Sequence, residues 1–133
     1  MFWEFSLNKI RKNKFTKKQR ILIRREFNEV FVIKNSASDQ NIIIYIKYNT
    51  FQYNRLGIVI GKKVGNAVRR NRFKRIVREA FRMSEFETNC CFDIVVLPRK
   101  PLDTALKSMD IEKSLRLLVP KLCSNGKMDA NQT

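Results

Sequence analysis

Residues 62–82, KKVGNAVRRNRFKRIVREAFR, carry nine Lys or Arg (62, 63, 69, 70, 72, 74, 75, 78 and 82) against a single acid, Glu79. Laid out at about 100° per residue, the segment puts Phe73, Ile76, Val77, Ala80 and Phe81 on one stripe with the spacing of a buried helix face. Asn71, Arg75, Arg78 and Arg82 fall on the opposite side, while Arg69 lies nearer the stripe. The chain is thereby committed to a long helix with one face packed on something apolar and the other strongly positive. A charge run is most often only a solvated face, but solvated helices mix signs and place acids to pair with bases at i+4. Here most bases lack such partners and repel one another, a cost that a polyanion would remove.

The whole chain leans the same way. Its 28 Lys plus Arg against 12 Asp plus Glu leave +16 over 133 residues, a balance that attracts nucleic acid through long-range electrostatics and counterion release. A membrane is the competing polyanion, yet no uncharged apolar run approaches the roughly 18 residues of a spanning helix. The start, MFWEFSLNK, is too short and too soon charged for a signal peptide. The expectation is a soluble, cytoplasmic protein with no membrane partner. An apolar share of 44% supports one domain with a modest core.

Catalytic side chains are harder to find. There is no histidine, and Cys90, Cys91 and Cys123 are odd in number with two adjacent, so reduced thiols are expected rather than a zinc site or a disulfide framework. The acids are scattered. Glu26 with Glu29 and Glu85 with Glu87 come nearest to pairs, the first among bases on a helix and the second in a loop, where salt bridging or solvation is the simpler role. RNA cleavage by the protein itself would call for His as acid and base, or for clustered carboxylates around metal ions. We therefore expect no catalytic residue, no protein-bound metal and no protein-bound cofactor; any chemistry belongs to a partner.

Along the chain, residues 1–18 read as a basic, flexible extension, 19–123 as a single RNA-binding α+β domain, and 124–133 as a disordered tail. Ile23, Phe27, Val30 and Phe31 form one face of a helix over 21–34. The polar NSASDQN reads as a turn, and residues 42–48 as a strand rich in β-branched and aromatic residues. Residues 49–54 turn the chain into a second strand over 56–60, the expected hairpin partner of the first. Asn66 suits the cap of the basic helix, which should end near Ser84. A third strand, 92–97, closes at Pro98, and a last helix begins around Thr104 or Asp110 and reaches Leu122, with Pro120 expected to kink or stop it. The order is helix, strand, strand, helix, strand, helix, which implies helices packed on a small sheet.

The string KKVGNAVRRNRFKRIVREAFR, centred on Arg70, Asn71 and Arg72, resembles the RNR signature of the protein component of bacterial ribonuclease P. The likeness continues in FNEVF of the first helix, in Tyr45 and in DIVVLPRKP, spanning about residues 20–122. It implies an α+β fold with a small four-stranded mixed sheet and about three helices, a two-layer sandwich like that of a ribosomal-protein domain. The sheet would contain a left-handed βαβ crossover, against the usual hand. It also implies a function: assisting a catalytic RNA that removes the 5′ leader of precursor tRNA, with Mg2+ at the RNA active site and no obligate protein partner. By this resemblance Lys62, Lys63, Arg70, Asn71, Arg72, Lys74, Arg75 and Arg78 would face the catalytic RNA, Asn71 through RNA or a bound metal. Phe27, Phe31 and Tyr45 would line the leader path, stacking on unpaired bases, although helical spacing alone would make the two phenylalanines ordinary core. Residues 1–18 look longer than is usual in the family, and an additional RNA contact is one role for them. A structural RNA-binding protein of ribosomal type, without a leader cleft, is the alternative.

Overall fold

The computed structural model describes residues 15–84, 86, 91–99, 101–102 and 105–123. Residues 1–14, Glu85, Glu87, Cys90 and the tail 124–133 lie outside them. In chain order the elements are α1 (Arg24–Ile33), β1 (Ser36–Ser38), β2 (Ile42–Tyr48), β3 (Arg55–Ile58), α2 (Ala67–Met83), β4 (Phe92–Pro98) and α3 (Ser108–Cys123). Short 3-10 turns occupy Lys17–Gln19 and Lys62–Val64. Phe15, ahead of the first turn, sets its ring edge-on to Phe81 at 5.6 Å, so the domain gathers in residues that composition assigned to the extension.

The strands form one mixed sheet in the order β1-β2-β4-β3. Residues 56–60 were expected to form a hairpin with 42–48, and the structure corrects this: β4 lies between the two. It pairs antiparallel with β2 from Ile42↔Pro98 to Tyr48↔Phe92, and parallel with β3 from Arg55↔Asp93 to Ile58↔Val96. The reason is burial. Ile94, Val95 and Val96 are all fully buried, so β4 is apolar on both faces and belongs at the centre. Parallel β3 and β4 need a crossover, and α2 supplies it.

Alternation along the strands then sorts two cores. Ile42, Ile44, Ile46, Leu56, Phe92, Ile94 and Val96 point to the face covered by α2 and α3, joining Phe73, Val77, Phe81, Ile111, Leu115, Leu118 and Leu122. Val95 points the other way, to Ile21 and Val30, with Phe27, Phe31, Tyr45, Val59 and Leu97 half-buried around them. The main core is the expected pair of layers, and α1 adds partial cover on the second face.

Two local expectations are also corrected. NSASDQN is not only a turn: Ser36–Ser38 pairs with residues 43–45 as an edge strand. The turn contracts to its end, where Asp39 Oδ1 accepts the amides of Asn41 and Ile42 at 2.8 and 3.0 Å, freeing the preceding residues to extend. Pro120 neither stops nor ends α3, which runs on to Cys123. Its missing N–H removes one bond in the last turn, and its ring faces solvent while buried Leu118, Val119 and Leu122 hold that turn to the core. Among the described residues no helix is long and apolar enough to cross a membrane.

Candidate RNA interface

The basic helix forms as its sequence dictates. Asn66, in extended conformation, caps it by accepting the amide of Arg69 on its side-chain oxygen at 2.9 Å. Phe73, Val77, Ala80 and Phe81 are buried and Ile76 is half-buried, so the apolar stripe is the packed face. Asn71 and Arg75 are exposed; Arg70, Arg72, Lys74 and Arg78 are half-exposed along the flanks. Lys62 and Lys63 stand exposed on the 3-10 turn before the helix and extend its positive surface.

Glu79, the one acid of α2, is engaged by Arg82 one turn on. Among the described residues no carboxylate forms an ion pair with Arg69, Arg70, Arg72, Lys74, Arg75 or Arg78. Arg70 also keeps a buried Nε that donates to no acceptor among them, a situation worth about 1–3 kcal/mol to relieve. Burial, reinforced by the neighbouring charge of Arg20, lowers the proton affinity of Arg78 below that of an ordinary guanidinium. The helix therefore presents positive charge that the fold leaves unneutralised.

The three aromatic candidates gather on the opposite face of the sheet. Phe31 sets its ring edge-on to Tyr45, with centroids 4.8 Å apart and planes at 80°. Tyr45 lies on the strand face away from buried Ile44 and Ile46, as alternation requires. All three aromatics are half-buried, so each has ring surface within the core and ring surface left over. Phe27 sits directly on the β3 backbone: a Cβ at Gly57 would lie 2.4 Å from its Cε1.

Phe27 also does something the sequence does not foretell. It shares a pocket of about 250 Å³ with Arg20, Leu22, Gly57, Ile58, Lys74 and Arg78. Because β3 is an edge strand, this pocket wraps around that sheet edge and joins the aromatic side to the basic helix. Residues 20–21 run along that edge, with Ile21 donating its amide to the Leu56 carbonyl at 2.9 Å.

A buried charge network also escaped sequence reading. Arg55 gives Nε and Nη2 to the two oxygens of Asp93 at 2.8 and 2.6 Å, and Nη1 lies 2.7 Å from Glu26 of α1. Asn49 donates to Asp93 at 2.8 Å, and the Phe51 ring lies 4.5 Å from the guanidinium carbon. Hydrogen bonding to Asp93 holds Arg55 well above the usual guanidinium range against the opposing effect of burial. The clue was Asp93 itself, a carboxylate inside FDIVVL that burial obliges to find a partner. Beside this network, a groove of about 700 Å³ under α1 includes Arg25, Glu29 and Lys47. Its charges are matched: Glu29 lies 3.6 Å from Lys47 and 3.9 Å from Arg25. As expected for Glu26 and Glu29, both acids serve in salt bridges.

Comparison with known proteins gives a consistent picture. The Ribonuclease P family model matches residues 15–123. A ribonuclease P protein component from Thermotoga petrophila is 42% identical over 108 residues, covering 78% of this chain and 92% of its own. Another from Petrotoga mobilis is 37% identical over 111 residues, covering 81% and 94%. Among solved structures, the RNase P protein from Thermotoga maritima superposes with a TM-score of 0.63 at 34% identity, covering 79% of this chain and 96% of that one. The RNase P protein of Staphylococcus aureus gives 0.63 at 30% identity, covering 77% and 94%.

Proposed function

The chain belongs to the ribonuclease P protein family, a tRNA-processing ribonucleoprotein component, and from that premise we infer how its surfaces divide the work. The face formed by Lys62, Lys63, Arg70, Asn71, Arg72 and Arg75, with Lys74 and Arg78 on its flank, docks on the catalytic RNA. Phe27, Phe31 and Tyr45 receive the single-stranded 5′ leader of precursor tRNA. The RNA carries the chemistry with its own Mg2+, in the cytoplasm, and the protein raises substrate affinity and orders the complex.

The observation that carries this reading is the unneutralised charge of α2. A helix that buries Phe73, Val77 and Phe81 is fixed in place by packing, so its bases are held on one rigid surface at helical spacing. Arginine can grip a phosphate by two parallel hydrogen bonds, which lysine cannot. The aromatic face supports the second half. Half-exposed rings stack on any unpaired base at about 1–3 kcal/mol each, which suits leaders of differing sequence.

The deciding experiment mixes the purified chain with a bacterial ribonuclease P RNA and precursor tRNA at low magnesium. Cleavage should rise well above that of RNA alone, and no stimulation would refute the reading. Substitution separates the two surfaces. Tyr45→Ala should weaken binding of leader-bearing substrate while sparing mature tRNA; equal loss for both would remove the leader assignment.

A further inference from the structure

We propose that the pocket at the β3 edge is a nucleotide subsite for the leader, in which Arg20, Lys74 and Arg78 hold a phosphodiester while Phe27 offers its ring to the adjoining base. The inference rests on the leader reading above and adds to it a residue, Arg20, and a change of partner for Lys74 and Arg78.

Three observations meet at this place. First, the pocket has a volume of about 250 Å³ and is lined by Phe27, one of the three aromatics assigned to the leader. Second, its cations come from separate elements, the segment before α1 and the flank of α2, and among the described residues no carboxylate pairs with any of them. Three like charges brought together without an anion repel, and the fold sustains them because packing fixes both supports: Ile21 is hydrogen-bonded to β3 and Phe73 and Val77 are buried. Burial first, and the nearby charge of Arg20 second, lower the proton affinity of Arg78. Third, the larger groove beneath α1 has its charges matched by Glu29 and Glu26, whereas the cations of this pocket, like the rest of the basic face of α2, have no such match among the described residues.

The arrangement suits a phosphodiester better than a protein carboxylate. Three cationic donors from separate elements suit the several acceptor oxygens of a phosphate, and the Phe27 ring in the same lining suits the base that a nucleotide carries. The guanidinium carbon of Arg20 lies 5.4 Å from the Phe15 ring, a cation–π contact that needs none of its N–H donors as hydrogen bonds.

The test uses the assembled holoenzyme with Arg20→Gln, an exposed position whose substitution leaves the core alone. Affinity for leader-bearing precursor tRNA should fall roughly tenfold, the size of one lost charge-assisted hydrogen bond, and Arg20→Lys should recover part of it. Neutral methylphosphonate linkages placed one by one along the leader give the sharper readout. One linkage should weaken binding to the wild-type holoenzyme and have no further effect on Arg20→Gln. Loss of affinity for the catalytic RNA, with leader binding per assembled complex unchanged, would assign these cations to the RNA subunit and overturn the proposal. So would methylphosphonate effects that are the same in both proteins. If Tyr45→Ala loses leader affinity while Arg20→Gln does not, the cleft stands and only this subsite fails; if neither does, the leader reading itself is gone.

Discussion

Asp93 and Gly57 face the same side of the sheet as α1, and each determines something a neighbour can do. Asp93 neutralises Arg55, which in turn binds Glu26, so the carboxylate fastens α1 to the sheet at second hand. Asp93→Ala leaves a buried guanidinium with one partner in place of two and should cost about 3–5 kcal/mol, read from urea unfolding. A loss below about 1 kcal/mol would mean that water reaches Arg55 in its place. Gly57 acts through its lack of a side chain. Alanine there would meet Phe27 at 2.4 Å and should cost about 1–3 kcal/mol by overpacking. The cost should shrink in a Phe27→Ala background, where the ring is gone. A double-mutant cycle with no coupling would show that the ring moves aside freely.

At the scale of elements, the turn closing β1 onto β2 depends on Asp39. Burial raises its proton affinity, but the Ser114 hydroxyl, the Ile42 and Asn41 amides and the charge of Arg99 together outweigh burial and lower it below the ordinary 3.8. A carboxyl whose folded-state value is lowered contributes stability above its unfolded value and loses it as pH falls through the folded one. Unfolding midpoints should therefore decline below pH 3.8 more steeply in the wild type than in Asp39→Asn; parallel curves would exclude Asp39 as the source. The elements legible in the sequence were those whose causes are local. The stripe of α2, its Asn66 cap and the outward turn of Tyr45 follow from spacing within a few residues. β1 was not legible, because the alternation of Ser-Ala-Ser is only three residues long and the segment is made a strand by β2 and by Asp39. The place of β4 between β2 and β3 escaped as well, since pairing is chosen between segments far apart in the chain. The Arg55 network and the pocket at the β3 edge share that origin: Glu26, Arg55 and Asp93, like Arg20, Phe27 and Arg78, meet only after the sheet has formed.

For the whole molecule, an excess of +16 makes salt the main control of RNA affinity. Arg72→Ala should lower affinity for the catalytic RNA and reduce the log–log salt slope by about 0.7–0.9, the share of one phosphate contact. Its unfolding midpoint should stay near that of the wild type, because Arg72 lies on a flank and not in the core. An unchanged slope with a lowered midpoint would make it a structural residue. The strand order has a consequence of another kind, concerning manufacture. β4 is the last strand to leave the ribosome and the one on which β2 and β3 both depend. Until Pro98 emerges, the earlier strands have no common neighbour, and α2 has no finished sheet on which to lay its apolar stripe. The nascent chain thus carries its positive charge through most of translation without the rigid surface that would make it selective, and acquires that surface in one late step.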